Sequence, residues 1–461
     1  MESHQRRRIA KVEFDKKAVN RKLARIATPI AIQGVVTATL SMVDNLMVGF
    51  LGETELAAVG VGSQIFSIHY LVLFGILSGC ATFMAQFFGA RDMGNIRKVI
   101  GVGFTGLLIF GGIFFIISNL FTEGILSFYT KDPAVLKLAV QYVRINSLTF
   151  LLLAFSSPLE MAFKATQQVK IPMIISAVVF SSNTLINYIL IFGKLGFPAL
   201  GVAGAAIGTL SARVLQVVLY TAFMIRSANV FRGPILSYFG WDRELIRRIV
   251  KNATPTTVNE FLWSFGQTMF VAAFNRISTT AYAAFQAANA IFNIFLFATF
   301  SIGDAALILV GEKLGEGDKD YSWKMSNQII KVLVVVGVVV GLFTALFDKS
   351  FANLFNLSDE GKMYTFYVLL VFSLTMPVDM FNGTMIAGIL RAGGDTKFAM
   401  ITEGICIWFI AVPLAFISVL VWQVPIHIAV LITRLENFVR AGILLKRYLS
   451  KKWMNIVIEN L

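Results

Sequence analysis

Residues 26–50 read IATPIAIQGVVTATLSMVDNLMVGF, and Asp44 is the one ionisable side chain among them. A helix needs about 20 mostly apolar residues to cross the hydrocarbon core of a bilayer. This run is long enough to do so. Similar runs recur along the whole chain and predict twelve transmembrane helices, at residues 26–50, 57–87, 99–121, 145–163, 171–193, 200–225, 252–275, 280–310, 325–347, 364–390, 398–419 and 425–445.

The composition supports an all-α polytopic membrane protein. Hydrophobic residues fill 57% of the 461 positions and charged residues fill 14%, against about 25% charged residues in soluble domains. A soluble fold could not bury so much apolar surface. The two cysteines lie inside apolar runs and the chain has three histidines, so neither a disulfide framework nor a histidine-rich zinc centre is expected.

The basic residues predict the orientation in the membrane. Of the 40 Lys and Arg, 29 lie in segments that face the cytoplasm if the N-terminus is inside, as the positive-inside rule requires. Residues 1–25 carry nine of them before the first apolar run, which is too long a prelude for a cleaved signal peptide. We therefore expect both termini in the cytoplasm, contact with the lipid bilayer, and no nucleic-acid partner despite the net charge of +14.

Two halves of the chain are related. FFGARDMGNIRKV follows the second predicted span and KLGEGDKDYSWKM follows the eighth, about 226 residues later. Such a repeat of six helices is parallel, because six is an even number. The predicted domains are a basic N-terminus (1–25), an N-lobe (26–225), a linker with an amphipathic helix (226–251), a C-lobe (252–445) and a cytoplasmic C-terminus (446–461).

Polar residues deep in the predicted N-lobe indicate an ion site. A carboxylate inside a membrane persists when it faces a cavity, pairs with another group or has a function. Asp44 lies in the first span, Asn183 and Asn187 lie four residues apart on the fifth, and Thr209 lies on the sixth. Together they would offer oxygen ligands suited to Na⁺. The alternative is that the two amides join helices by hydrogen bonds and the hydroxyl only packs.

The C-lobe has its own buried acids. Glu260 follows Pro255 in the seventh span, and Asp379 follows Pro377 in the tenth. Proline can kink a helix and free a backbone carbonyl, and acids beside such kinks suggest a proton or cation relay, an alternative place for Na⁺ to the N-lobe site. The alternative is ordinary kinking with structural ion pairs. Asp304, in the eighth span, is a weaker candidate because it lies near the inner end.

No ATP-binding or catalytic motif accompanies these residues. GKLGFPALG at 193–201 lacks the ending of a P-loop, and no H-E-x-x-H or G-x-S-x-G pattern occurs. We therefore expect a transporter driven by an ion gradient, without a cofactor, rather than an enzyme. A passive channel remains an alternative, and uphill flux driven by an imposed ion gradient would distinguish the two.

Several motifs together resemble multidrug and toxic compound extrusion transporters, above all their bacterial NorM-like branch. The resemblance covers nearly the whole chain and is carried by VDNLMVGFLGETELAAVG, NTLINYILIFGKLGFPALGVAGAAIGT, TPTTVNEF, LVGEKLGEGD and PVDMFNGTMIAGILRAGGDTK. It implies a V-shaped fold of two six-helix lobes. It also implies Na⁺- or H⁺-coupled antiport of bulky, mostly cationic compounds out of the cell by a monomer.

The resemblance assigns roles residue by residue. Asp44 matches the N-lobe acid of the family, Asn183 and Asn187 match the amide pair, and Thr209 matches the hydroxyl. Glu260 and Asp379 match the C-lobe acids. Some members have Asp where this chain has Asn187, which removes one anionic ligand. The alternative within transporters is a flippase for lipid-linked or polysaccharide substrates, which would favour extra spans and a basic cavity.

Overall fold

The computed structural model describes residues 14–226, 231 and 233–461. Most of the basic N-terminus and part of the 226–251 linker lie outside the described residues. The helices are α1 Lys16–Gly49, α2 Glu53–Gly89, α3 Met93–Leu120, α4 Thr122–Leu126, α5 Pro133–Asn146, α6 Leu148–Ala165, α7 Lys170–Phe192, α8 Val202–Arg226, α9 Leu236–Phe239, α10 Arg243–Phe274, α11 Thr279–Gly315, α12 Lys319–Ala352, α13 Asp359–Thr384, α14 Thr396–Ile405, α15 Val412–Leu420, α16 Ile426–Arg434 and α17 Glu436–Leu449.

Short polar side chains fix where many helices begin. A side-chain oxygen at the N-cap accepts a backbone N–H that the first turn would otherwise leave unpaired. Asp or Ser does this for α1, α3, α5, α10, α11, α12 and α13, through Asp15, Asp92, Asp132, Asp242, Ser278, Asp318 and Ser358. Each of these helices therefore begins directly after the polar residue that precedes it in the sequence.

The predicted all-α membrane fold is confirmed. Within the described residues, ten helical segments are long and apolar enough to span a membrane. The two other predicted spans coincide with α10, whose polar residues lower its hydropathy, and with the α16–α17 pair, which is divided into helices of 9 and 14 residues. Two spans contain a π-helical turn: Met385–Leu390 continues α13, and Cys406–Ala411 joins α14 to α15. Such turns are rare and often mark functional positions.

Two connections between the predicted spans contain helical structure. Residues 243–251, in the linker where an amphipathic helix is predicted, form the first turns of α10, which runs without a break from Arg243 to Phe274; α9 is the short helix of this linker. The connection before the fourth predicted span is also not a plain loop. It contains α4 and α5, and Ser147 separates α5 from α6. Here Asp132 and Pro133 start a helix that the hydropathy pattern does not reveal.

Segments that the sequence assigns to one side of the membrane meet at one end of the bundle. Glu312 accepts hydrogen bonds from Lys22 at 3.3 Å and from Gln167 at 2.7 Å. Asn455, near the C-terminus, donates to the Gly393 carbonyl at 3.1 Å. We call this end, with residues 15–25, 86–98, 164–170, 311–324, 391–397 and 446–461, the basic end.

The N-lobe (α1–α8) and the C-lobe (α10–α17) touch along the basic half of α2. A Cβ at Gly79 would lie 2.6 Å from Ala253 Cα, so α2 and α10 can approach this closely only with glycine there. The other half of α2 packs on α5 of its own lobe, with Gly62 against Tyr142. The lobes therefore join towards the basic end and separate towards the other, as expected for a V shape.

Helix α1 belongs to both lobes. Its first half, from Val19 to Ile30, packs into the largest apolar cluster, which is otherwise mostly C-lobe. Its last turns, with Met47 and Val48, pack instead against α7 and α8. Pro29 lies inside the helix, near the end of its first half. One helix thus connects the N-lobe acid to the contact between lobes.

Candidate functional site

Asp44 sits at the end of α1 that packs on α7, and its partners there are amides. Asn187 Nδ2 donates to Asp44 Oδ1 at 2.8 Å. In the amide orientation that satisfies its neighbours, Asn183 also donates to Asp44 Oδ1 at 2.8 Å and accepts from the Thr209 backbone N–H at 3.3 Å. Because helix positions i and i+4 share a face, α7 presents both amides to one carboxylate. Asn183 and Asn187 are 1% and 0% exposed.

Helix α8 closes this site from the side. A Cβ at Gly208 would lie 1.9 Å from Asn187 Oδ1, so only glycine lets α8 pass the amide. The Thr209 hydroxyl donates to the Ala205 carbonyl at 3.1 Å and does not donate to Asp44. Asn187 Oδ1 is buried and has no hydrogen-bond partner. A buried polar atom of this kind commonly binds a water molecule or an ion.

Arg213, on α8, is the basic residue that acts on Asp44. Its guanidinium donates to Gln216 at 2.7 Å, and it attracts the carboxylate through space. Among the ion pairs of the described residues, none joins Arg213 to Asp44. The N-lobe acid therefore keeps neutral contacts and a distant positive charge.

The C-lobe encloses a cavity of about 360 Å³. Aromatic rings form much of its wall, and Phe74 of α2 is the contribution of the N-lobe. Four carboxylates and three guanidiniums share the same cavity. These charged residues are Glu260, Asp379, Glu403, Glu436, Arg391, Arg434 and Arg440. With all seven groups ionised, their formal charges sum to −1.

Each of the two predicted C-lobe acids is paired with an arginine. Arg391 Nη2 donates to Glu260 Oε1 at 2.6 Å, and Arg434 Nη1 donates to Asp379 Oδ2 at 2.6 Å. Asn437 donates to the other Asp379 oxygen at 2.8 Å. The structure brings Glu260 and Asp379 to one cavity but gives each its own counter-charge. This arrangement is an ion pair for each acid, the alternative that the sequence left open beside a relay.

A second charged group in the cavity was not predicted as a site. Arg440 donates to Glu403 at 2.7 Å and to Glu436 at 2.9 Å, and Asn259 donates to Glu403 at 2.7 Å. The sequence shows the Glu436–Arg440 pair through its i,i+4 spacing. It does not show that Glu403, on another helix, completes the cluster.

Asp304 lies apart from both sites. It lines a small pocket between the lobes together with Ser78 and Lys164. The lysine near Asp304 is thus Lys164 of the N-lobe. Lys313 pairs instead with Glu316 at 2.7 Å. This position favours a contact role between lobes over a place in either acid site.

Comparisons with known proteins converge on one family. The MatE family model matches residues 29–189 and 255–417, two ranges that begin 226 residues apart. A Thermotoga maritima protein called "Probable multidrug resistance protein NorM" is 24% identical over 94% of this chain and 93% of its own. The multidrug resistance protein MdtK of Edwardsiella ictaluri is 26% identical over 88% of each chain. A crystal structure of MATE in the bent conformation superposes with a TM-score of 0.86, at 20% identity, over 95% of this chain and 97% of the other.

Proposed function

Because the chain belongs to the MatE family of multidrug efflux transporters, we propose that it exports bulky, mostly cationic organic compounds in exchange for Na⁺ or H⁺. It is a multi-pass membrane transporter and not an enzyme. The proposal extends this to the coupling ion, the charge of the substrate and the site of each.

The arrangement around Asp44 carries the proposal. Its carboxylate accepts hydrogen bonds from two neutral amides, and the Asn187 carbonyl oxygen is buried without a partner. A Na⁺ ion would gain a formal negative charge from Asp44, and amide oxygens from Asn187 and Asn183 after a rotation of both amides, whose nitrogens face Asp44. A proton would bind to Asp44 alone. The N-lobe thus offers an acid whose charge no arginine neutralises by contact.

The C-lobe cavity suits the organic substrate better than the coupling ion. Arg391 and Arg434 already occupy Glu260 and Asp379, so a small ion would have to displace a guanidinium. The aromatic wall, with Phe292 and Phe372 beside Arg434, binds flat apolar compounds, and rings also attract organic cations. The single excess negative charge favours a cation. A flippase for pyrophosphate-linked lipids is disfavoured because these arginines are paired with carboxylates.

In the proposed cycle, α1 transmits the occupancy of Asp44. One half of α1 packs on the C-lobe and the other half holds Asp44 against α7. Ion binding at Asp44 changes the contacts of the second half. The first half then changes its packing on the C-lobe, and the substrate cavity opens to the outside. We further propose two lobes at 26–225 and 252–445, both termini in the cytoplasm of the cell membrane, and a monomer.

The test is efflux from proteoliposomes under separately imposed Na⁺ and pH gradients. The purified protein should export a fluorescent organic cation such as ethidium against its gradient when one of the two ion gradients is imposed. Addition of an ionophore that collapses that gradient should stop export. Downhill flux that neither gradient alters would contradict antiport and favour a channel.

A further inference from the structure

Arg391 connects the C-lobe to the N-lobe through its side chain and its backbone. Its guanidinium donates to Glu260 of α10 at 2.6 Å and to Ser78 of α2 at 2.9 Å. Its carbonyl oxygen accepts from the Thr82 hydroxyl of α2 at 2.9 Å. Arg391 is 3% exposed, so these bonds lie out of water and are correspondingly strong.

The position of Arg391 follows from the backbone around it. The π-helical turn Met385–Leu390 ends directly before it, and such a turn shifts the register of the residues that follow. Gly394, three residues later, has a φ of 68° and starts the turn to α14. Arg391 is thereby held at the contact between α2 and α10, next to the close approach of Gly79 to Ala253.

Glu260 makes this connection sensitive to the contents of the cavity. Both Glu260 and Arg391 line the cavity, and so does Phe74 of the N-lobe, whose ring centroid lies 5.7 Å from the Arg391 guanidinium. A cation that pairs with Glu260 competes with Arg391 for this carboxylate. Loss of the contacting carboxylate of a buried guanidinium is costly, and this favours a movement of Arg391 that breaks its bond to Ser78.

We propose that Arg391 is a positioning residue that reports an organic cation at Glu260 to the contact between the lobes. The Glu260–Arg391–Ser78 bridge holds the lobes together towards the basic end while the cavity is empty. When the lobes separate there, the bridge is broken and Glu260 is free to bind the cation from the cytoplasm; when the bridge re-forms, Arg391 takes Glu260 back and the cation is released towards the outside. The cation therefore favours the state that is open at the basic end. The inference rests on the proposed function for the C-lobe cavity as the substrate site, and it adds how binding is coupled to the contact between the lobes.

The experiment measures the distance between lobes directly. Spin labels at Ala90→Cys and Lys319→Cys place one exposed probe on each lobe at the basic end; the native Cys80 and Cys406 are buried. Double electron–electron resonance in nanodiscs is recorded with and without tetraphenylphosphonium, a bulky organic cation. In the unsubstituted background we expect the cation to increase the long-distance population.

Three variants separate the bridge from a merely structural contact. Ser78→Ala should raise the long-distance population without ligand and keep a response to tetraphenylphosphonium. Glu260→Gln should raise it as well and abolish that response. Arg447→Gln breaks the Arg447–Asp395 pair of 2.6 Å at the same end but within one lobe, and it should leave both distance populations unchanged.

Each outcome decides the inference. If Ser78→Ala and Glu260→Gln keep the unsubstituted distance distribution, or if Arg447→Gln changes it equally, Arg391 is only structural and the inference fails. Thermal unfolding of each variant identifies a folding defect, and Ser78→Thr, which keeps the hydroxyl, should then restore the distribution. Wild-type export of tetraphenylphosphonium with unaltered variants would overturn the bridge alone. A wild type that neither exports the cation nor responds to it would overturn the proposed function.

Discussion

The buried acids of the two lobes differ in the charge of their partners. Asp44 in the N-lobe is held by the neutral amides of Asn183 and Asn187, whereas Asp379 in the C-lobe is held by the cation Arg434. An acid with neutral partners keeps its affinity for a mobile cation. An acid that is paired with an arginine binds that side chain in place of a mobile cation. In the proposed function, the same residue type therefore serves a transported ion in one lobe and a charge network in the other.

The largest expected effect comes from removing the charge of Asp44. Asp44→Asn should reduce ion-driven efflux to background, because a cation site with one formal charge depends on it most. Its unfolding temperature should stay close to that of the wild type, since no buried arginine loses a contacting partner. Efflux under each imposed gradient and thermal unfolding are measured together. Asp348→Asn, a buried acid on α12, is the control. Wild-type efflux by Asp44→Asn would contradict an ion-binding role of Asp44 and the inferred difference between the lobes.

The next effect is one of stability and belongs to the C-lobe. Arg434→Gln leaves Asp379 without its counter-charge, and loss of one partner of a buried pair costs about 3–5 kcal/mol. The double variant Asp379→Asn with Arg434→Gln should recover much of this loss, because neither charge remains. Denaturant unfolding of both single variants and the double variant in micelles measures the coupling. If the losses simply add, the pair is not a unit and the lobes differ less than we infer.

The smallest expected effect refines the N-lobe site. Asn183→Ala and Asn187→Ala each remove one neutral group from the ion site. Its loss should weaken the binding free energy of the ion by about 1 kcal/mol, so the half-saturating ion concentration should rise about fivefold. A higher ion concentration should restore efflux. A packing role would cost about 0.6 kcal/mol of stability without changing the ion dependence. Asn119→Ala removes an amide that bonds Ser147 at 2.9 Å in the same lobe and serves as the matched control.

Local spacing explains what the sequence could predict. Asn183 and Asn187 are one helical turn apart, so their shared face follows from the sequence, and Asp44 is the deep acid of the first span. The hydropathy pattern likewise predicts the helical membrane fold. Residues at helix positions i and i+4 also explain the pairs Glu160–Lys164 and Glu436–Arg440.

Contacts between distant helices explain what the sequence could not predict. Arg391 is counted as a loop charge by hydropathy, yet it is buried against Glu260, 131 residues away. Arg434 and Asp379 are 55 residues apart. The π-helical turn before Arg391 has no signature in the apolar pattern, although it sets where that side chain lies. The charge state of the C-lobe acids therefore depends on packing that no local pattern encodes.

The charges of α16 and α17 bear on how the protein is made. Arg434, Glu436 and Arg440 lie in the last predicted span, and each Arg costs about 2.5–3.5 kcal/mol when the translocon releases a helix into lipid. Their partners Asp379 and Glu403 leave the ribosome earlier, on α13 and α14. The last span thus becomes compatible with lipid only when it packs against helices that have already been synthesised. We therefore expect the C-lobe helices to insert jointly, because the charges on α13 and α14 can be neutralised only after the last span has been made.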